Sequence, residues 1–358
     1  MRPFLPAIVV SVAALLGAAH TPAEHPAPRT TLDIYFIDVE GGQSTLLVTP
    51  SGESWLIDAG FPGAGTFAST PAGADTARDA QRILAAAHDA GVQRIDHLML
   101  THYHADHAGG VPELAALIPI TQFIDHAAPL PEADAAVSGT QAVYDRYVQL
   151  RASAAHLDPK PGDRLPMNGV EATVLSSLGA TITTPVGGTG APNAACAGPG
   201  LPAQEKTENP RSLGVAVQFG AFRFLDLGDL SGAPLFALTC PADLIGTADV
   251  YLVAHHGGLD AADASIFATV KPRVAVFNNG PRKGGAAETF ATLRGMPAID
   301  VWQLHRAMAP AVTNAPDDRI ANLDEATSAW IKLSAKRDGS FTVTNGRTGV
   351  ATSYPTRH

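Results

Sequence analysis

Apolar residues along this chain come in short runs broken by glycine, proline and polar clusters, and between the runs they recur at helical spacing. Residues 34–39, 45–48 and 54–57 run or alternate apolar, with Pro50-Ser51-Gly52 turning the chain between the last two, which predicts an antiparallel meander. Residues 76–90 are alanine-rich with a helical period, Asp75 being the expected cap and Gly91 the stop. Residues 95–100 read as a buried strand. Pro112 opens a helix through 118, 121–124 is a strand, 137–155 a helix and 170–175 a strand. A hairpin follows at 213–219 and 222–227, split by Gly220-Ala221. Strands at 250–253, 274–277 and 299–304 then alternate with helices at 264–269 and 287–294. A last hairpin, 329–333 with 341–344, turns at Asp338-Gly339. Two groups of strands with helices between them predict an α/β fold: an αββα sandwich of two mixed β-sheets, face to face, flanked by helices.

The pattern fails in one place. Residues 177–210 are rich in Gly, Pro, Thr and Ala and show no period. Structureless loops of that length are uncommon and often functional, so a rim or lid over an active site is expected here. The strand at 95–100 runs directly into His102, His104, Asp106 and His107, three imidazoles and a carboxylate within six residues. Divalent transition metals favour that donor set when a short rigid loop presents it. In extended chain His102 and His104 share one side. Asp106 and His107 follow once the chain has begun to turn, so they can face a second ion. Lys283 and Arg282, in a glycine-rich turn, could hold an anionic group or be simple surface charge.

Composition narrows the picture. An apolar content of 46% over 358 residues supports a sizeable core, and a formal charge of −10 argues against a broad grip on extended nucleic acid. Residues 1–20 carry Arg2, an apolar stretch from Phe4 to Leu16 and then Gly17-Ala18-Ala19, the layout of a secretory signal peptide. That stretch is too short for a stable membrane span. The expectation is an exported protein, periplasmic or secreted, with a flexible lead-in at 21–30. The only two cysteines, Cys196 and Cys240, could form a disulfide pinning the long loop to the body.

The H-x-H-x-D-H array, the opening strands ending in Asp38-Val39-Glu40-Gly41-Gly42 and Asp58-Ala59-Gly60, the strand running into Asp229, and the His255-His256-Gly257 turn together resemble the metallo-β-lactamase fold superfamily. Within it the look is closest to the hydrolase domain of ComEC-type competence proteins and their free-standing relatives, which share the Asn209-to-Leu213 segment. The resemblance implies one hydrolase domain over 31–310, with 311–358 as a C-terminal hairpin extension packing on it. It implies His102 and His104 at a first metal site, Asp106, His107 and one of the pair His255 and His256 at a second, His256 being favoured, and Asp229 bridging both. One or two divalent ions are implied, zinc foremost and manganese as the other choice. Asp106 and His255 become candidates for proton handling. Asp58 is expected to orient a ligating histidine, and His305 to contact substrate. Most members supply a third first-site histidine; no histidine lies between His156 and His255 here, and Asn209 and Ser212 stand near that slot. The implied function is metal-dependent hydrolysis of a phosphodiester or phosphate ester, on a small-molecule or cell-envelope substrate. Lactone or β-lactam hydrolysis, and a metal-stabilised binding protein without catalysis, are the alternatives.

Overall fold

The structure is a computed structural model that describes residues 29–196 and 206–357; the signal segment expected at 1–20, and all of the lead-in but its last two residues, lie outside them. The chain begins with the meander β1 (Leu32–Phe36), β2 (Thr45–Val48) and β3 (Ser54–Ile57). Helix α1 (Arg78–Asp89), strand β4 (Ile95–Met99), the single turn α2 (Ala105–Ala108), α3 (Val111–Leu117) and β5 (Ile120–Ile124) follow. Next come α4 (Pro131–Ala136), α5 (Thr140–Arg151) and β6 (Ala155–Leu157). The second half opens with β7 (Arg164–Leu165), β8 (Glu171–Ser177), β9 (Ala180–Thr181), β10 (Gly214–Phe219) and β11 (Phe222–Asp226). It continues through α6 (Gly232–Ala237), β12 (Val250–Leu252), α7 (Ala264–Val270), β13 (Val274–Phe277), α8 (Ala287–Arg294) and β14 (Asp300–His305). Strands β15 (Ile320–Asn322), β16 (Ile331–Ala335), β17 (Phe341–Asn345) and β18 (Ala351–Tyr354) close it.

Two mixed sheets result. One runs β18-β17-β16-β1-β2-β3-β4-β5-β6, the other β15-β14-β13-β12-β11-β10-β8-β7 with β9 beside β8. Strand alternation explains the layering. Leu32, Ile34 and Phe36 of β1 point into the core between the sheets with Val215, Val217, Phe224 and Trp302, and the Phe36 and Phe224 rings meet edge-on at 5.8 Å. Tyr35 points the other way, toward Ile83 of α1, Leu114 of α3 and Tyr147 of α5. On the far face of the second sheet, Tyr251 and Phe277 pack with Phe267 and Phe290 from α7 and α8. The αββα sandwich is the fold.

Several local expectations are corrected. Asp75 caps nothing: α1 begins after Ala77, and Asp79 in its first turn is buried to accept the Phe61 N–H at 2.7 Å. The helix expected over 137–155 is shorter at both ends: α5 starts at Thr140, after Gly139 with its φ of +94°, and stops at Arg151, while 155–157 pairs as β6. Residues 311–358 hold more than a hairpin. β16 pairs with β1 in register Ile34 with Leu333, β15 joins the other sheet beside β14, and β18 continues past β17. The long loop is also placed differently. Its described stretch from Val186 to Cys196 is docked on residues 239–246 through backbone hydrogen bonds to Leu244, Asp243 and Pro241, and the Cys196–Cys240 disulfide joins the same pieces. Arg223 draws the loop down by donating to the Val186, Ile245 and Thr247 carbonyls. Among the loop's described residues, Asn209 at its end approaches the histidine cluster, while 197–205 lie outside the described residues.

Candidate metal centre

The site gathers at the ends of β3, β4, β11 and β12. Strand β4 stops at Met99, and Asp58, just past β3, takes the Thr101 N–H at 2.8 Å and its hydroxyl at 2.7 Å. This pins the start of the His102–His107 loop. His104 stays extended and Asp106 and His107 fall in the α2 turn, so the four side chains spread around one point. Gly42 is required here: a Cβ on it would lie 2.3 Å from the Asp106 carbonyl, which instead accepts the Gln43 N–H. Beyond β11, Gly228 (φ +56°) presses against Thr101 and swings Asp229 inward. After β12 both His255 and His256 adopt left-handed backbone, φ +48° and +54°. Two consecutive non-glycine residues in that region store strain of a kind that clusters at functional sites.

Among the described residues the side chains form two metal-sized groups sharing one carboxylate: Asp106, His107, Asp229 and His256, and His102, His104 and Asp229, all buried. His107 Nε2 and His256 Nε2 stand 3.1 and 3.2 Å from Asp229 Oδ2, and His256 Nε2 is 3.3 Å from Asp106 Oδ2. His102 Nε2 lies 2.9 Å from His104 Nδ1 and 3.9 Å from Asp229 Oδ2. Asp58 Oδ2 accepts from His107 Nδ1 at 2.7 Å, which fixes the tautomer that aims Nε2 at the cluster. Thr101 Oγ1 stands 3.1 Å from His102 Nδ1.

Burial penalises charge throughout, and neighbours decide the outcome. Burial, with His107 and His104 adding to it, holds His102 well below its usual pKa, and burial brings His104 to about 4; both rings are neutral donors at pH 7. Burial alone would raise Asp106 and Asp229. Lys283 and His107 hold the first carboxyl well below the usual range, and His107, His256 and His255 do so for the second. The buried atoms Asp106 Oδ1, Asp229 Oδ1 and His104 Nε2 have no hydrogen-bond partner among the described residues. Buried ionised oxygens left bare are costly, and a cation removes that cost. The residues therefore fit a divalent metal.

The other predicted positions fall unevenly. His255 sits at the edge, Nδ1 at 2.6 Å from Asp260 and Nε2 at 3.7 Å from Asp229; burial opposes its charge, but Asp229 and Asp260 prevail and raise it to about 9. Asn209 Nδ2 is 3.4 Å from His255 Nε2. The buried Ser212 hydroxyl makes no hydrogen bond among the described residues and belongs to neither group. His305 belongs to a different cluster, 2.9 Å from Asp38. Asp260 escaped sequence reasoning, because nothing in the spacing His255 to Asp260 marks it. Lys283 reaches the cluster itself, at 2.5 Å from Asp106 Oδ2.

Residues 38–191 match the model of the metallo-beta-lactamase superfamily. No curated protein matches the chain. Solved structures similar to it include the metallo-beta-lactamase fold protein YhfI from Bacillus subtilis (11% identity, TM-score 0.44, 76% of this chain and 96% of that one). Another is Igni18, a metallo hydrolase from Ignicoccus hospitalis (15%, TM-score 0.41, 78% and 96%). A third is MEM-A1, a subclass B3 metallo-beta-lactamase from a soil metagenome library (14%, TM-score 0.38, 65% and 80%). At these identities the likeness says nothing of substrate.

Proposed function

We propose, from the match of residues 38–191 to the metallo-beta-lactamase superfamily model, that the chain is an exported hydrolase of phosphodiesters or phosphate esters. Members of this superfamily are generally metal-dependent hydrolases. The observation that carries the hydrolytic reading is the convergence of four buried imidazoles on two buried carboxylates, each with an oxygen bare of hydrogen bonds among the described residues. A divalent ion held there supplies Lewis acidity and lowers the pKa of water into the neutral range. The imidazole-rich donor set favours zinc, and manganese suits the carboxylates.

The chain's own groups divide the remaining work. His102, His104 and Asp229 form one cradle, and Asp106, His107, His256 and Asp229 the other. Asp58 and Thr101 orient the rings from behind. His255, held by Asp260 at Nδ1, keeps Nε2 toward the centre, where it can hand a proton to a departing alkoxide. The cationic groups at the edge, His255 and Lys283, suit an anionic phosphoryl oxygen better than a neutral ring carbonyl. An acidic chain favours a small or envelope-linked ester over long nucleic acid. Export rests on the pattern of residues 1–20, and the Cys196–Cys240 disulfide suits an oxidising compartment.

The test is a side-by-side assay of bis-p-nitrophenyl phosphate, a chromogenic cephalosporin and a homoserine lactone, with metal content measured on the same protein. Phosphodiester turnover that vanishes in Asp229→Ala is the expected result. Turnover of the cephalosporin or lactone instead would overturn the substrate class. Protein that retains metal but turns over none of the three substrates would leave a metal-stabilised binding module.

A further inference from the structure

Lys283 is delivered to the cluster by a purpose-shaped turn. Residues 280–285 leave β13 and pass directly over the His255-His256 bend, where the Gly285 N–H donates to the His256 carbonyl at 2.8 Å. The approach depends on a missing side chain: a Cβ on Gly284 (φ +72°) would lie 2.5 Å from the same carbonyl. Across the cleft, a Cβ on Gly41 would meet the Lys283 Cβ at 2.8 Å. Between these bare surfaces the lysine extends until Nζ donates to Asp106 Oδ2 and to the Gly41 carbonyl, both at 2.5 Å. The ammonium thus bonds a carboxylate oxygen that also faces His107 Nε2 at 3.5 Å and His256 Nε2 at 3.3 Å. Only one of the two metal-sized groups contains that carboxylate.

Charge balance gives this contact a consequence. Three carboxylates serve the centre directly: Asp58 behind His107, and Asp106 and Asp229 in the groups themselves. A fourth, Asp226, is bonded to Gln43 and the Gly228 N–H and to no member of either group. With the His255 imidazolium at the edge paired to Asp260 at 2.6 Å, one divalent ion and one ammonium neutralise the three carboxylates. Two divalent ions beside the same ammonium leave an excess of two positive charges in a buried site, where like charges repel strongly.

We infer that Lys283 is a resident cation that competes with metal for Asp106, so that the two sites load unequally and the group containing Asp106 binds its ion weakly. This rests on the cluster being a metal centre, as proposed above. It concerns stoichiometry and requires no particular substrate.

The experiment is zinc titration of chelator-stripped full-length protein, followed by calorimetry and by metal analysis after gel filtration. Wild type is expected to retain one zinc ion tightly and to bind a second far more weakly. Lys283→Met and Lys283→Gln, which remove the charge, should tighten the second ion by roughly tenfold or more, about 1.4 kcal/mol. Lys283→Arg should keep the wild-type pattern. Two ions held equally tightly by wild type would overturn the inference without touching the metal centre, and that measurement needs no variant to fold. An unchanged second affinity in both neutral variants would overturn it as well. Retention of no zinc by any of the four proteins would remove the inference and the metal centre together.

Discussion

Two clusters of histidine and carboxylate lie side by side, separated by the Gly41-Gly42 loop, and they are built on opposite principles. In the first, Asp106, His107, Asp229 and His256, with His102 and His104, bring several donors together, and among the described residues the only arginine or lysine ion pair to either carboxylate is that of Lys283 with Asp106. In the second, Asp38, Glu40 and His305 have a metal-like spacing too. There, however, Arg82 takes Asp38 at 3.1 Å and Glu40 at 2.8 Å, and Arg78 takes the other Glu40 oxygen at 2.8 Å. Donor atoms close together do not make a metal site. Unpaired charge does, and the arginines have already spent it in the second cluster.

The largest expected effect tests that contrast directly. Asp229→Ala removes the carboxylate common to both groups and should abolish bound metal, with hydrolysis falling by about 10³-fold or more. His305→Asn should leave metal content unchanged. Loss of metal in the His305 variant would merge the two clusters into one and end the distinction. Next in size, Arg82→Met strands Asp38 and one Glu40 oxygen in a buried setting. It should cost about 2–4 kcal/mol in urea unfolding while the folded protein keeps its metal. A loss below about 0.5 kcal/mol would mean that these pairs are solvated surface bridges.

The comparison also shows what the sequence could and could not reveal. The 102–107 loop was legible because its donors are adjacent in the chain, and strand periods placed β10, β11, β13 and α8 close to their observed bounds. Residues from distant strand ends, Asp58, Asp229 and His256, were reachable only through resemblance. Sequence spacing carries no trace of a contact such as Lys283 with Asp106, 177 residues apart. His305 shows the same limit from the other side. It ends β14 near the expected rim, but Asp38 holds it, and that pairing between the two sheets leaves no local signature. The described stretch 186–196 was not placed from sequence because docking sets its course: Arg223 and the disulfide hold it on residues 239–246.

A smaller effect separates support from ligation within the first cluster. Asp58 touches His107 and Thr101 and belongs to neither metal-sized group. Asp58→Asn should therefore weaken zinc about 10–100-fold, with turnover at saturating zinc largely kept. Equal losses of affinity and of saturated turnover would give Asp58 a direct part in the chemistry.

The smallest effect comes from a buried histidine that belongs to neither cluster. His126 donates from Nδ1 to the Ala127 carbonyl at 2.7 Å, and its Nε2 lies 3.6 Å from Glu208, at the foot of the Asn209 turn. Burial depresses its pKa to about 4, so the folded protein holds the ring neutral where the unfolded chain would protonate it. The unfolded state then binds the extra proton between about pH 6.5 and 4, so stability present above 6.5 is lost as pH falls through that window. The lost amount is about 1–3 kcal/mol. His126→Asn cannot take up that proton, so its urea midpoint should fall less than that of wild type between pH 7 and 4.5. Metal loss from the main centre acts on both proteins alike, so the difference between the two curves isolates His126. Parallel curves would mean that this ring is already charged in the fold, leaving the main centre as the place where acid acts.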